Sequence, residues 1–108
     1  MSETVTLPDP KVRRDQRVRM QPRYHVILLN DDDHTYEYVI EMLAELFKHP
    51  IETGFQMAKE VDEKGRVIVM TTSLELAELK QDQVHAYGPD PRLKRSQGSM
   101  TCELEPAE

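Results

Sequence analysis

Residues 26–43 read VILLNDDDHTYEYVIEML: an apolar run, three successive carboxylates, then a second apolar run. Taken from Tyr24, the first run (YHVILLN, 24–30) is short, rich in strand formers and bounded by Asn and Asp. That pattern predicts a buried strand. In the second run Tyr36, Val39, Ile40, Leu43, Leu46 and Phe47 recur at helical spacing, and Glu37, Glu41 and Glu45 occupy another face, which predicts an amphipathic helix. The acidic cluster therefore lies where a strand hands over to a helix. One of Asp33, His34 and Thr35 is expected to cap that helix. Carboxylates ahead of a helix meet its partial positive charge and free N–H groups, worth about 0.3–1 kcal/mol each. A cap uses one side chain, so three carboxylates exceed the need. The surplus points to a receptor for a cation: a metal, a guanidinium or an ammonium group.

Outward from that junction the chain continues in short elements. Pro50 ends the first helix and suits the first turn of the next, which carries Ile51, Phe55, Ala58 and Val61 on one face and stops before Gly65. RVIVMTT (66–72) reads as a strand. Ser73 suits the cap of a third helix with Leu76, Ala77, Val84 and Tyr87 inward and Gly88 at its end. PDPRLKRSQ (89–97) is a loop, and SMTCELE (99–105) alternates Met100, Cys102 and Leu104 with polar residues, as a half-buried strand does. The order is β-α-α-β-α-β, an α+β fold with a three-stranded antiparallel sheet and three helices packed on one face. Residues 1–22 hold Pro8, Pro10 and Pro22 among polar residues with no sustained period, so they are expected to form a flexible leader ahead of a domain spanning 23–106.

Composition removes several function classes. No run of about 18 apolar residues predicts a membrane span, and the N-terminus lacks the apolar segment of a secretory signal. The lone Cys102 leaves no intramolecular disulfide and no Cys-rich metal site, and suits a reducing cytoplasm. Residues 1–23 carry six basic against three acidic side chains, leaving a charge of −9 on residues 24–108 out of the total of −6. No aromatic residue interleaves with the leader arginines as a single-strand platform needs, so nucleic acid is not the expected partner. Asp31, Asp32, Asp33 and His34 are adjacent residues without the spacing or Gly of a calcium loop, so no metal is expected. Cys102 falls on the apolar face of a strand, where it packs rather than attacks. There is no Gly-rich phosphate loop and no recognisable nucleophile–base pair. The chain does not read as an enzyme, and no cofactor is expected.

An ammonium receptor remains. YHVILLNDDDHTYEYVIEML (24–43), then EVDEKGRVIVMTTSLELAELKQDQVHAYG (60–88) and MTCELE (100–105), resemble the ClpS family, adaptors of ATP-dependent Clp proteases. The resemblance runs from about Tyr24 to Glu105, and LLNDD, LExAExK and C-x-L-E fall in the family's order. It implies the architecture read above, and a monomer that binds proteins through a destabilising, usually large hydrophobic, N-terminal residue and passes them to a Clp AAA+ unfoldase. By position, Asn30 and Asp31 match the pair that holds the substrate's α-amino group. Val39, Ala58, Val61 and Met100 match the side-chain pocket, to which His34 and Tyr36 also belong. Glu75, Glu78 and Lys80 match the surface that docks on the unfoldase's N-terminal domain, and the leader matches an extension used in delivery.

The chain departs from the family in three places. The aromatic-Thr-Pro-Met after Asn-Asp-Asp is here Asp33-His34-Thr35-Tyr36, which puts Tyr36 where most members have a methionine gate. The family's Val-His pair is Val61-Asp62, and small Ala58 replaces a larger wall residue. Asp62 is expected to accept from the amine in the histidine's place. A histidine acceptor would weaken binding as pH falls through about 6.5, whereas an aspartate keeps it flat from about pH 7 to 5.5. The alternative is a regulator that docks on the unfoldase and has lost or altered recognition of N-termini.

Overall fold

The computed structural model describes residues 22–107, so the leader before Pro22 lies outside the described residues. Six elements follow in the expected order: β1 (Arg23–Leu29), α1 (Tyr36–Phe47), α2 (Ile51–Lys64), β2 (Arg66–Ser73), α3 (Leu74–His85) and β3 (Cys102–Ala107). β1 is the middle strand, antiparallel to β2 on one side and β3 on the other. That position explains its unbroken apolar run. Val26 and Leu28 face the helices and join the core, while Ile27 points the other way and is still fully buried. Arg66, opposite Leu29, and Glu105, opposite His25, reach diagonally across Ile27 and pair at 2.9 Å.

A bulge shapes β2. Val26 lies opposite Met70 and Ile27 opposite Ile68, leaving Val69 as the extra residue. Val67, Val69 and Met70 can thereby all turn toward the core despite the strand's alternation. β3 begins at Cys102, later than its sequence pattern suggested, although Thr101 O already accepts from Leu29 N–H at 3.0 Å. Burial pushes the Cys102 thiol up to about 11, which keeps it an inert packing group.

The helices form on local signals but bury different faces from those the sequence suggested. Thr35 caps α1, accepting from Tyr38 N–H, and Ser73 caps α3, accepting from Leu76 N–H. In α1 the buried residues are Tyr38, Val39, Met42, Leu43 and Phe47, with Tyr36, Ile40 and Leu46 only half-buried. Tyr38 is drawn inward because its hydroxyl donates to Gly88 O and its ring packs on His34 and Tyr87. In α2 the inner stripe is Gly54, Ala58 and Val61, while Ile51 is 70% exposed and Phe55 43%. Gly54 packs on α1, where an added Cβ would lie in ordinary contact with the Ile40 backbone at 3.5 Å, so α2 presents its small face to α1. α3 buries Ala77 and Val84 and ends at His85, with Leu76 and Tyr87 half-buried.

Candidate functional site

The end of β1 is fastened to the end of α2. Asn30 N–H donates to Gly65 O at 3.0 Å, and Gly65 closes the turn that carries Val61 and Asp62. Asp31 then reverses the chain: its Oδ1 accepts from Asp33 N–H at 2.9 Å and meets His34 Nδ1 at 2.7 Å. Its carboxylate is about a third exposed, and Oδ2 has no hydrogen-bond partner among the described residues. The Asn30 side chain lies exposed beside it. From the first turn of α1, Tyr36 donates its phenol to Asp62 Oδ2 at 2.8 Å and rests edge-on against Phe55. That bond raises the Tyr36 phenol above its ordinary range. Val39, Ala58, Val61 and Met100 are all buried in one apolar cluster, with Tyr36 packed against it. His34 faces elsewhere: its Nε2 meets Gly98 O at 2.7 Å, and its ring lies 4.5 Å from Tyr38.

Part of the surplus negative charge has an internal cation. Arg95, in the loop between α3 and β3, bonds Asp33 Oδ1 at 3.2 Å and the Asp32 carbonyl at 3.0 Å through Nε. Only Asp32 keeps an exposed carboxylate with no partner among the described residues.

The loop that delivers Arg95 is organised by Asp90, for which the sequence predicts only a loop position. Asp90 is buried and accepts from Thr35 N–H (2.7 Å), the Thr35 hydroxyl (2.8 Å), Arg92 N–H (3.0 Å) and the Arg92 guanidinium (3.2 Å). Burial alone would push its carboxyl up, but those donors outweigh it and hold it down at about 2. Asp90 N–H in turn donates to Ser96 Oγ, and Arg92 reaches Glu41 on α1. Thr35 therefore caps α1 and anchors the loop together. The available signal was an aspartate between two prolines, turn chemistry that hydrogen-bonds its own backbone two residues on.

The chain as a whole is similar to known proteins. Residues 19–92 match the family model described as "ATP-dependent Clp protease adaptor protein ClpS". The chain belongs to the ClpS family. The adapter protein ClpS of Pectobacterium carotovorum is 34% identical over 94 residues, covering 85% of this chain and 84% of that protein. The Vibrio cholerae adapter protein ClpS is 31% identical over 102 residues, covering 93% and 92%. Among solved structures, Agrobacterium tumefaciens ClpS2 bound to L-phenylalaninamide superposes with a TM-score of 0.69 at 24% identity, covering 81% of this chain and 99% of that one. The chain is thus a ClpS-type adaptor of ATP-dependent Clp protease.

In this ClpS chain the α3 residues separate into two faces. Glu75 and Glu78 are exposed and, with Pro22, Arg23, Tyr24, Ser73 and Leu74, line an open groove of about 790 Å³. Lys80 faces elsewhere, since five residues from Glu75 is about 140° of helical turn. Its Nζ donates to Leu46 O at 2.5 Å and sits 5.6 Å from the Phe47 ring, tying α3 to the end of α1. No helix among the described residues is long and apolar enough to cross a membrane.

Proposed function

We propose that this chain captures the free N-terminal residue of substrate proteins and hands them to a Clp AAA+ unfoldase. The observation that carries the reading is the Asn30–Asp31 edge, where one carboxylate oxygen has no hydrogen-bond partner among the described residues, while Val39, Ala58, Val61 and Met100 gather in one apolar cluster. A free α-amine has a pKa near 7.7–8.0 and is mostly cationic at neutral pH. Burying it demands acceptors for three protons. Asn30 Oδ1, Asp31 Oδ2 and the second oxygen of Asp62 supply them. Tyr36, Val39, Ala58, Val61 and Met100 receive the first side chain, and His34 holds the Asp31 carboxylate in place. An internal peptide segment brings no ammonium and leaves those acceptors unpaired, a strong basis for discrimination. The neighbour from Agrobacterium tumefaciens supports the choice of ligand, because its L-phenylalaninamide combines a free amine with a large apolar first side chain.

The hand-off uses Glu75 and Glu78 against the unfoldase's N-terminal domain, with Lys80 holding α3 behind them. Residues 1–22 serve as an extension during delivery, and the adaptor acts as a cytoplasmic monomer. In a reconstituted Clp protease, a substrate with Phe first should be degraded only when the chain is added. Glu75→Lys/Glu78→Lys should abolish that delivery yet leave peptide affinity within about twofold, as expected of exposed charges remote from a site. Loss of peptide binding in that variant would contradict the separation of the two surfaces.

One observation favours a second reading, in which the chain docks without recognising N-termini: the Tyr36 phenol already occupies Asp62 Oδ2. Tyr36→Phe decides how that contact acts. If the phenol merely competes with the amine, removing it should raise affinity for a Phe-first peptide by about threefold, the scale of one neutral hydrogen bond. If no peptide binds either protein, the docking regulator is the better account.

A further inference from the structure

The groove beside α3 has a floor and a rim of different chemistry. Leu74, which is 42% exposed, lies in it with Tyr24 and Pro22, while Glu75 and Glu78 contribute two carboxylates. Arg23 also lines the groove, its guanidinium donating to Thr71 O at 2.8 Å, so among the described lining residues two carboxylates stand against one cation. The groove therefore joins apolar surface to a net negative charge, and the described chain begins on its wall at Pro22.

The sequence just ahead of Pro22 is KVRRDQRVRMQ (11–21), with five basic residues and one acidic. Within it, Arg17-Val18-Arg19-Met20 alternates basic and apolar side chains. In an extended chain, residues two apart point the same way at about 6.6 Å. Residues three apart on a helix, as Glu75 and Glu78 are, lie about 5–6 Å apart. Arg19 is three residues from Pro22, a reach of about 10 Å. Charge, spacing and reach all agree.

We propose that the leader docks in this groove in cis, with Arg17 and Arg19 on Glu75 and Glu78. Exposed ion pairs are individually weak and screened by salt. A short tether nevertheless presents the leader at millimolar effective concentration, so a contact too weak to form between separate molecules is populated within one. The consequence rests on the docking role given above to Glu75 and Glu78: the leader shields the surface that the unfoldase needs and leaves it when drawn elsewhere. The adaptor would carry its own competitor.

The test needs neither substrate nor unfoldase, so its failure is separate from failure of N-terminal recognition. Amide chemical shifts of the full chain are compared with those of Arg17→Glu/Arg19→Glu. The proposal expects changes at Ser73–Glu78, loss of the difference in high salt, and, when Glu75→Arg/Glu78→Arg is added, return of a salt-sensitive difference in that segment relative to Glu75→Arg/Glu78→Arg with the parent leader. Unchanged shifts in that segment would overturn it. So would changes centred on Asp31–Asp33, which would place the leader on the other acidic surface. Changes that grow with protein concentration would assign the groove to the leader of a second copy and overturn the contact in cis.

Discussion

An Asp90→Ala chain should unfold about 3 kcal/mol more easily than the parent, the lower end of the cost of breaking a buried charge network. For a domain of this size the melting temperature should fall by about 15 °C. The substitution orphans Thr35 N–H, the Thr35 hydroxyl proton and Arg92 N–H together, leaves the Arg92 guanidinium with Glu41 alone, and frees the loop that holds Arg95 and Gly98 against the acidic turn. The effect has a pH signature. The Asp90 carboxyl sits at about 2 in the fold against 3.8 for the free group, so its contribution is fully present above the unfolded value and is lost as pH falls through the folded one. The difference corresponds to about 2 kcal/mol. Urea unfolding followed from neutral pH to about pH 2 should therefore show the Asp90→Asn chain losing less stability than the parent below about pH 4. Parallel curves would mean that Asp90 is not the group that titrates.

Asp31→Asn should cost peptide affinity about 10- to 100-fold and leave the fold almost untouched. An asparagine oxygen can still accept from Asp33 N–H, so the turn is kept. What disappears is the charge that would face the ammonium in the proposed complex, and a hydrogen bond to a charged group is worth about 1.5–3 kcal/mol. Asp32→Asn is the control. Its carboxylate is exposed and a neighbour in sequence, so it attracts the same cation only through solvent, and less than about a twofold loss is expected. Calorimetric titration of both variants with a Phe-first peptide separates a specific acceptor from general acidity. Equal losses would argue against Asp31 as a direct ligand.

Local signals were legible in the chain, and distant ones were not. The β1 run, the caps at Thr35 and Ser73, Pro50 and the stop at Gly65 depend on residues within a few positions of one another, and with them came the element order. The inner face of α2 was misread because counting apolar residues favours Ile51 and Phe55. The contact with α1 is instead made by Gly54, which such a count ignores. Tyr38 turned inward for a partner, Gly88, fifty residues away. Asp90 and Thr35 are separated by 55 positions, and Arg95 and Asp33 by 62, so no local pattern announces either pair. The carboxylate cluster reads from sequence as more than a cap, and part of what it holds is the protein's own Arg95. Asn30, Asp31 and the end of α2 were associated by resemblance, and the Asn30–Gly65 hydrogen bond supplies the physical link between them.

The most direct measurement is the affinity of the full chain for one short peptide with Phe first, with its N-terminus free and then acetylated, at neutral pH. Acetylation leaves the side chain intact and removes only the charge and donors that Asn30, Asp31 and Asp62 would receive. The account predicts binding of the free peptide and a loss of at least about 100-fold on acetylation, in line with the cost of leaving a buried charge unpaired. Equal affinity for the two forms would contradict it.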